Sequence, residues 1–390
     1  MTDRLRVAVM FGGQSGEHEV SLASARSVMK AMDTEKYEII PVGITRHGRW
    51  IASGDPMEAL ASDVPEASQP AALLSDPSRP SLVCLEERER GLQATPLAEI
   101  DVVFPVLHGP LGEDGTIQGL LELAGLPYVG AGVMASAVAM DKVVFKDVMQ
   151  AHELPTVDYL MVKRRAWDAD PEEIITRIEN RFPYPVFTKP ANLGSSVGIT
   201  KCPDRTALTV GLSEAGRYDR KLLVEPAVAE AREIEVSVLG NDEPMASVPG
   251  EIIPSREFYS YRAKYEDTGD AASALHIPAP LSGELTQRVR ELALRTYKAV
   301  DCAGMARVDF LLSGETGALY VNEMNTIPGF TDISMYPKLW EASGISCREL
   351  IDRLIELALE RQRDRGRTNG RHRQGVRGET SHRHRGGGTA

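Results

Sequence analysis

Apolar and polar positions change period repeatedly along the chain, and each change marks an element. Residues 5–11 form an apolar run broken only by Arg6, too short for a helix and bounded by the turn residues Gly12-Gly13-Gln14-Ser15-Gly16. That pattern predicts a buried strand, and the stretch from about Glu19 to Ala31 predicts the helix that follows. Residues 37–44 predict the next strand. Residues 102–107 predict another, followed by the loop His108-Gly109-Pro110-Leu111-Gly112-Glu113-Asp114-Gly115 and a helix over 117–124. Strands alternating with helices imply a doubly wound parallel sheet whose ligand edge lies at the strand C-termini. Residues 52–96 break the alternation. They are rich in Pro, Ser, Asp and Ala, and a strand pair around 82–85 and 92–95 makes them an insertion or a loose hairpin.

A second unit starts near Gly130. A helix is expected over 142–152 and a strand over 157–162. Asp170-Pro171-Glu172-Glu173 then opens a helix with a cap residue, a proline at the first helical position and first-turn acids. An apolar run over 184–187 leads, as a strand, into Lys189. From about Pro226 the pattern predicts strands over 234–239, 307–312 and 319–325 and one long helix. In that helix Leu285, Val289, Leu292, Thr296 and Ala299 repeat at spacings of 4, 3, 4 and 3, a single buried stripe. Ser346-Cys347-Arg348-Glu349 is a capping box that starts a last helix packing Leu350, Ile351, Leu354 and Ile355. The organisation is therefore an N-terminal α/β domain over 1–130, units over 131–225 and 226–361, and a tail over 362–390.

At 390 residues the chain exceeds one ordinary core, so two or three domains are expected. No apolar run is long enough to cross a bilayer, and residues 1–4 lead into a strand in place of a signal h-region. Cys84, Cys202, Cys302 and Cys347 lack CxxC spacing, so structural zinc is not expected. They read as reduced, packed thiols of a cytoplasmic protein. The net charge of −12 is unevenly placed: from Arg361 to Ala390 nine arginines face two acids, about +7, leaving about −19 on the rest. Such a tail cannot bury enough apolar surface to fold. It reads as a solvated extension, or as a tether to nucleic acid or another anionic surface. The acidic body offers nucleic acid no broad docking face.

Chemistry enters at Lys189-Pro190-Ala191-Asn192-Leu193-Gly194-Ser195-Ser196-Val197-Gly198. Glycines let backbone N–H groups approach an anion closely, and the serine hydroxyls add donors. A strand-borne lysine beside such a loop reads as a phosphate clamp, although glycine–serine turns are common. No Gly-Lys-Ser/Thr occurs, which excludes a Walker-type loop, and Gly12-Gly13-x-x-Gly16 falls short of a dinucleotide fingerprint. A second constellation lies in Arg307-Val308-Asp309 and Glu323-Met324-Asn325, which flank a Gly-containing turn and predict a hairpin. Strand period two puts Arg307 with Asp309 on one face, and Glu323 with Asn325 on one face of the partner. If those faces coincide, two carboxylates and an amide oxygen form a hard, oxygen-only set suited to Mg²⁺. If they do not, this is an ordinary half-exposed hairpin; a phosphate clamp in the same chain favours the first reading. The polar, aromatic-rich segment 258–267 has neither period and reads as a long loop of the kind used as a lid.

In combination and in this order, the motifs closely resemble the D-alanine–D-alanine ligases of the ATP-grasp superfamily. The resemblance spans about Arg6 to Arg361 apart from 52–96. It rests on Phe11-Gly12-Gly13-x-Ser15-x-Glu17-x-Glu19-Val20-Ser21, His108-Gly109 with Gly112-Glu113-Asp114-Gly115, and Met140-Asp141-Lys142. The Lys189 loop, the Arg307/Asp309 strand, and Glu323-Met324-Asn325-Thr326-x-Pro328-Gly329 with Ser334 beyond complete it. It implies an ATP-grasp fold, α/β and α+β, with ATP between the sheets of the central and C-terminal domains. Lys142 and Lys189 would hold phosphates, and the loop with Ser195 and Ser196 would close over them. Glu225 and the backbone around Val228 would line the adenine slot, and Glu233 would reach the ribose. Asp309, Glu323 and Asn325 would hold two Mg²⁺ ions, with Mn²⁺ as the alternative.

The same resemblance pairs Glu17 with the ammonium of a first D-alanine, with His108 beside that subsite. Arg307 and the Gly329 N–H would stabilise the tetrahedral oxyanion formed by a second D-alanine. Ser334 and Lys264 would hold the second carboxylate or the γ-phosphate, and Tyr265 would latch the lid with Ser195 and Glu17. It also implies a homodimer and a role in peptidoglycan precursor supply. Thr188, where a more apolar residue is usual, the length of 52–96 and the basic tail depart from the pattern. D-alanine–D-lactate and D-alanine–D-serine ligases differ at the second subsite and lid, where the Lys264-Tyr265 pair favours an amine acceptor. A non-catalytic nucleotide-binding regulator is disfavoured because Arg307, Asp309, Glu323 and Asn325 are all present.

Overall fold

The computed structural model describes residues 4–62, 68–79, 81–89, 91–253 and 274–367. The lid segment with Lys264 and Tyr265, and the tail beyond Arg367, lie outside the described residues. Near the N-terminus, Leu5–Gly12 pairs in parallel with Tyr37–Ile44 on one side and Val102–Val106 on the other, and Trp50–Ile51 closes one edge antiparallel. Strands this apolar need cover on both faces. Val7, Val9 and Phe11 share a core with the helix His18–Ala31 and the last helix, while Ala8 and Met10 pack with the helix Thr116–Ala124. The doubly wound expectation holds. Residues 71–99 are more than a loose hairpin: Ala71–Leu73, Ser81–Arg88 and Gly91–Glu99 form a three-stranded antiparallel sheet, with Cys84 opposite Thr95. Ala71 and Leu82 join the core of Ile40 and Val42, which ties this sheet to the parallel one.

The central sheet is antiparallel, in the order Thr200–Cys202, Val186–Pro190, Lys221–Pro226, Leu160–Lys163. The strand expected over 157–162 starts only at Leu160, because the residues before it serve other partners. The Pro155 carbonyl accepts from Val321 N–H at 2.7 Å and the Val157 carbonyl from Lys146 Nζ at 3.3 Å. The helix Pro171–Glu179 is capped as expected, Asp170 Oδ1 accepting from Glu173 N–H at 3.0 Å.

The C-terminal sheet runs Ala274–His276, Gly250–Ile253, Ala231–Gly240, Gly304–Ser313, Leu319–Asn325, with Met245–Ala246 paired to the third of these; every pairing is antiparallel. The helix Gly283–Ala299 covers it with Val289, Leu292, Ala293, Thr296 and Tyr297. Ser346 caps the last helix, Cys347–Arg367, its Oγ accepting from Glu349 N–H at 3.3 Å. That helix runs past Arg361, beyond which only tail was expected, and docks on the N-terminal domain. Arg361 donates to the Tyr128 carbonyl at 2.8 Å and also to that of Gly130, and Arg365 pairs with Glu122.

Candidate active site

The paired strands Gly304–Ser313 and Leu319–Asn325 resolve whether the polar faces coincide. Arg307 lies opposite Asn325 and Asp309 opposite Glu323, and the register then shifts so that Phe310 faces Val321. Val308, Phe310, Val321 and Met324 are buried. With strict alternation, Glu323 and Asn325 would follow Leu319 and Val321 into the core; the bulge at Asn322 changes the phase and turns both toward Asp309. The Arg307 guanidinium grips Asp309 with both arms, Nε to Oδ1 at 2.7 Å and Nη2 to Oδ2 at 2.6 Å, and lies 3.0 Å from Glu235. Burial opposes its charge, but Asp309 and then Glu235 overcome this and hold it well above the usual arginine range. Asn325 Nδ2 donates to Asp309 at 3.0 Å. Among the described residues no three His, Cys, Asp or Glu side chains gather as a metal set. The donors here are two carboxylates and an amide oxygen, chemistry that fits a hard divalent ion, with Arg307 as the competitor for Asp309.

Lysines approach this face from the central domain. Lys142 opens the helix Lys142–Ala151; its Nζ donates to the Leu193 carbonyl at 2.7 Å and lies 3.4 Å from Glu323. Lys189 and Glu225 occupy adjacent strands and form an ion pair at 2.5 Å. The other Glu225 oxygen meets Lys146 at 2.6 Å, and Lys146 is 1% exposed. Burial alone would raise the Glu225 carboxyl, but Lys146 and Lys189 hold it down at about 2. Burial pulls the Lys146 ammonium below the usual lysine range against the pull of Glu225. At Lys189 burial acts the same way, but Glu225 and Glu323 outweigh it and raise the group. Lys146 was not singled out from sequence, since one lysine in an amphipathic helix reads as solvated. Its spacing of four from Lys142 was the available signal. Glu233 sits on Ala231–Gly240 opposite Leu311, and Val228 is half-buried just beyond Lys221–Pro226.

The N-terminal domain supplies the opposite wall. Glu17 precedes the helix His18–Ala31 and accepts a hydrogen bond from Ser195 Oγ, which joins the Gly-Ser loop to the first domain. Ser195 and Ser196 both take left-handed backbone, φ 51° and 58°, an uncommon conformation for side-chain-bearing residues and a mark of a loop shaped for a task. His108 is buried, its Nδ1 2.9 Å from the Ile327 carbonyl and its Nε2 3.2 Å from Ser24 Oγ. Since a carbonyl only accepts, Nδ1 carries the proton and Nε2 accepts from the hydroxyl. Burial keeps the ring below the usual histidine range, with Glu17 opposing. Gly329 packs on Ser334: a Cβ there would sit 2.8 Å from Ser334 Oγ, so a larger residue would displace that hydroxyl. Ser334 Oγ in turn accepts from Thr331 N–H at 3.0 Å.

Glu113 is a second residue that sequence reasoning passed over as a site group. It accepts from Gly109 N–H at 2.7 Å and Ile327 N–H at 3.2 Å, and with Glu17, His108, Ser195, Arg307, Glu323 and Gly329 it lines one cleft. Burial, then the nearby Glu17 charge, pushes its carboxyl up to about 8. The two shifted carboxyls bend stability with pH in opposite senses. Glu225, lowered from 4.5 to about 2, contributes stability above pH 4.5 that is lost as pH falls toward 2. Glu113, raised from 4.5 to about 8, binds its proton more tightly when folded, so its effect is lost stability as pH rises from 4.5 to 8. Urea unfolding across both windows is expected to show Glu225→Gln flattening the acid limb and Glu113→Gln flattening the decline above it. Parallel curves for wild type and both variants would contradict the assignment.

The chain is similar throughout to one group of proteins. The family described as D-ala D-ala ligase N-terminus matches residues 6–131, and the one described as D-ala D-ala ligase C-terminus matches 148–356. The D-alanine–D-alanine ligase of Caldicellulosiruptor bescii is 52% identical over 362 residues, 93% of this chain and 97% of its own. That of Thermoanaerobacter sp. is 52% identical over 366 residues, 94% and 99% of the two chains. Among solved structures, the D-alanine–D-alanine ligase from Coxiella burnetii is 39% identical with a TM-score of 0.80, covering 94% of this chain and 97% of its own. The VanG D-Ala:D-Ser ligase from Enterococcus faecalis is 34% identical with a TM-score of 0.78, covering 91% and 100%.

Proposed function

From the premise that this chain belongs to the D-alanine–D-alanine ligase family, we propose how its residues divide the work of the reaction. The protein is an ATP-dependent ligase that joins two D-alanines into D-alanyl-D-alanine for peptidoglycan precursor synthesis. One observation carries the division of roles. Arg307, Asp309, Glu323 and Asn325 share a face, with Lys142 against Glu323 on one side and the Glu17–Gly329 cleft on the other.

Lys142 and Lys189 hold the phosphates of ATP, and the Ser195–Ser196 loop covers them. The backbone of Glu225 to Val228 lines the adenine slot, and Glu233 takes the ribose. Asp309, Glu323 and Asn325 would hold Mg²⁺, which when bound neutralises phosphate charge. Glu17 takes the ammonium of the first D-alanine beside His108. The carboxylate of that D-alanine attacks the γ-phosphorus, the bond to ADP breaks, and D-alanyl phosphate forms. The free amine of the second D-alanine then attacks the acyl carbon. Arg307 and Gly329 N–H stabilise the oxyanion, and phosphate leaves carrying the proton lost by the amine. Ser334 and Lys264 take the second carboxylate or the γ-phosphate, and Tyr265 is assigned to latch the lid with Ser195 and Glu17, excluding water that would hydrolyse the acyl phosphate.

No helix among the described residues is long and apolar enough to cross a membrane. We assign the activity to the cytoplasm and to a homodimer on the family's pattern. The similarity to a D-Ala:D-Ser ligase makes D-serine the competing second substrate. Phosphate release measured with D-alanine, D-serine and D-lactate tests the reading. D-Alanine alone is expected to support ATP cleavage with the highest kcat/KM. Faster turnover with D-alanine plus D-lactate, or plus D-serine, at neutral pH would overturn it.

A further inference from the structure

The segment 327–330 belongs to the C-terminal domain, yet N-terminal side chains hold it. Glu113 accepts from Ile327 N–H at 3.2 Å, His108 donates to the Ile327 carbonyl at 2.9 Å, and Ser24 Oγ accepts from Phe330 N–H at 3.2 Å. Ser24 itself is fully buried on the helix His18–Ala31, and its own proton goes to His108 Nε2 at 3.2 Å. A closed chain results: Phe330 N–H to Ser24, Ser24 to His108, His108 to the Ile327 carbonyl. Between these two anchors lie Pro328, whose ring fixes one dihedral, and Gly329, which has the freedom to swing. Phe330 cannot follow a swing easily, since it is buried and packs on Phe104 and Tyr336 at centroid distances of 6.1 and 5.5 Å.

We propose that Ser24 is a positioning residue for the acyl-transfer step, aiming the Gly329 N–H at the oxyanion by fixing Phe330 N–H on one side and, through His108, Ile327 on the other. The proposal rests on the assignment of Gly329 to the oxyanion made above. Ser24 bonds His108 and Phe330 and not the lysines or the Asp309–Glu323 face assigned to ATP, so it acts on the attack of the second amine more than on the cleavage of ATP. Nothing in the sequence pattern marks it: a serine in an amphipathic helix, one turn beyond Ser21, reads as an ordinary buried polar residue.

Rapid-quench single turnovers, with full-length enzyme in excess of ATP and D-alanine saturating, separate the two steps. Ser24→Ala is expected to form ADP within about twofold of the wild-type rate while dipeptide appears about tenfold more slowly. That is less than the roughly hundredfold or greater loss from removing an oxyanion donor itself. Ser24→Cys, close to isosteric and a weaker acceptor, is expected to lie between, and guards against a variant that merely misfolds. Ser27→Ala on the same helix, where the hydroxyl donates to the Ala23 carbonyl at 3.3 Å, is expected to match wild type in both steps. Equal slowing of ADP and dipeptide in both Ser24 variants, or no slowing of either, would overturn the proposal. Wild-type enzyme that makes no dipeptide from D-alanine would instead sink the functional reading beneath it.

Discussion

Glu323→Gln is expected to lower turnover at least about a hundredfold, the equivalent of about 3 kcal/mol of lost charge stabilisation in phosphoryl transfer, while nucleotide still binds. The substitution preserves shape, so the hairpin and its bulge should persist, and melting temperature is the control. What disappears is one of two carboxylates facing each other across the strands, Asp309 opposite Glu323. Asp309 alone does not make up the loss, because Arg307, at 2.7 and 2.6 Å, competes with a cation for its two oxygens. Lys142, 3.4 Å from Glu323, loses its anionic neighbour but keeps the Leu193 carbonyl at 2.7 Å. ATP affinity should therefore change far less than kcat. Fluorescent-nucleotide titration beside steady-state kinetics separates the two, and an unchanged kcat would remove the metal assignment.

The second large effect is on stability. Lys146→Met leaves Glu225, 2% exposed, with Lys189 as its one remaining ion-pair partner among the described residues. Breaking a buried ion pair from one side costs about 3–5 kcal/mol, and a fall in melting temperature of about 10 °C is expected. ATP binding should weaken as well, because a Glu225 that depends on Lys189 alone competes with the nucleotide for it. Lys146→Met combined with Glu225→Gln removes the stranded charge, and the double variant should recover part of the loss. Thermal unfolding of both variants checks this. A single variant as stable as wild type, or a double variant worse than the sum of the singles, would show that Lys146 does not anchor Glu225.

Much of this was legible in the chain because local physics encodes it. The apolar runs over 5–11 and 102–107, the Asp170-Pro171 helix start and the Ser346 capping box are properties of a few adjacent residues, and each forms where the pattern puts it. The motifs proposed for the site are also visible as local patterns, since a Gly-Ser loop behind a lysine needs no tertiary contact to be noticed. Ser24, Glu113 and Lys146 were not readable. Each is an unremarkable polar residue whose task comes from a partner at least 79 positions away: Phe330 for Ser24, Ile327 for Glu113 and Glu225 for Lys146. The strand expected from residue 157 was shortened for the same reason, its neighbours being taken by Val321 and Lys146.

By itself, then, the sequence determined most of the elements that form, the caps that start several helices, and which residue types are available for phosphate, cation and carboxylate chemistry. Those are consequences of local periodicity, capping and composition. Whether Asp309 and Glu323 face one another was decided only by the folded sheet, through one bulged residue, Asn322, that changes the phase of a strand. The folded chain also decided that the last helix packs on the first domain and that the first domain holds the loop of Gly329. Register and docking depend on contacts between residues far apart in sequence, and no window of neighbouring residues contains that information.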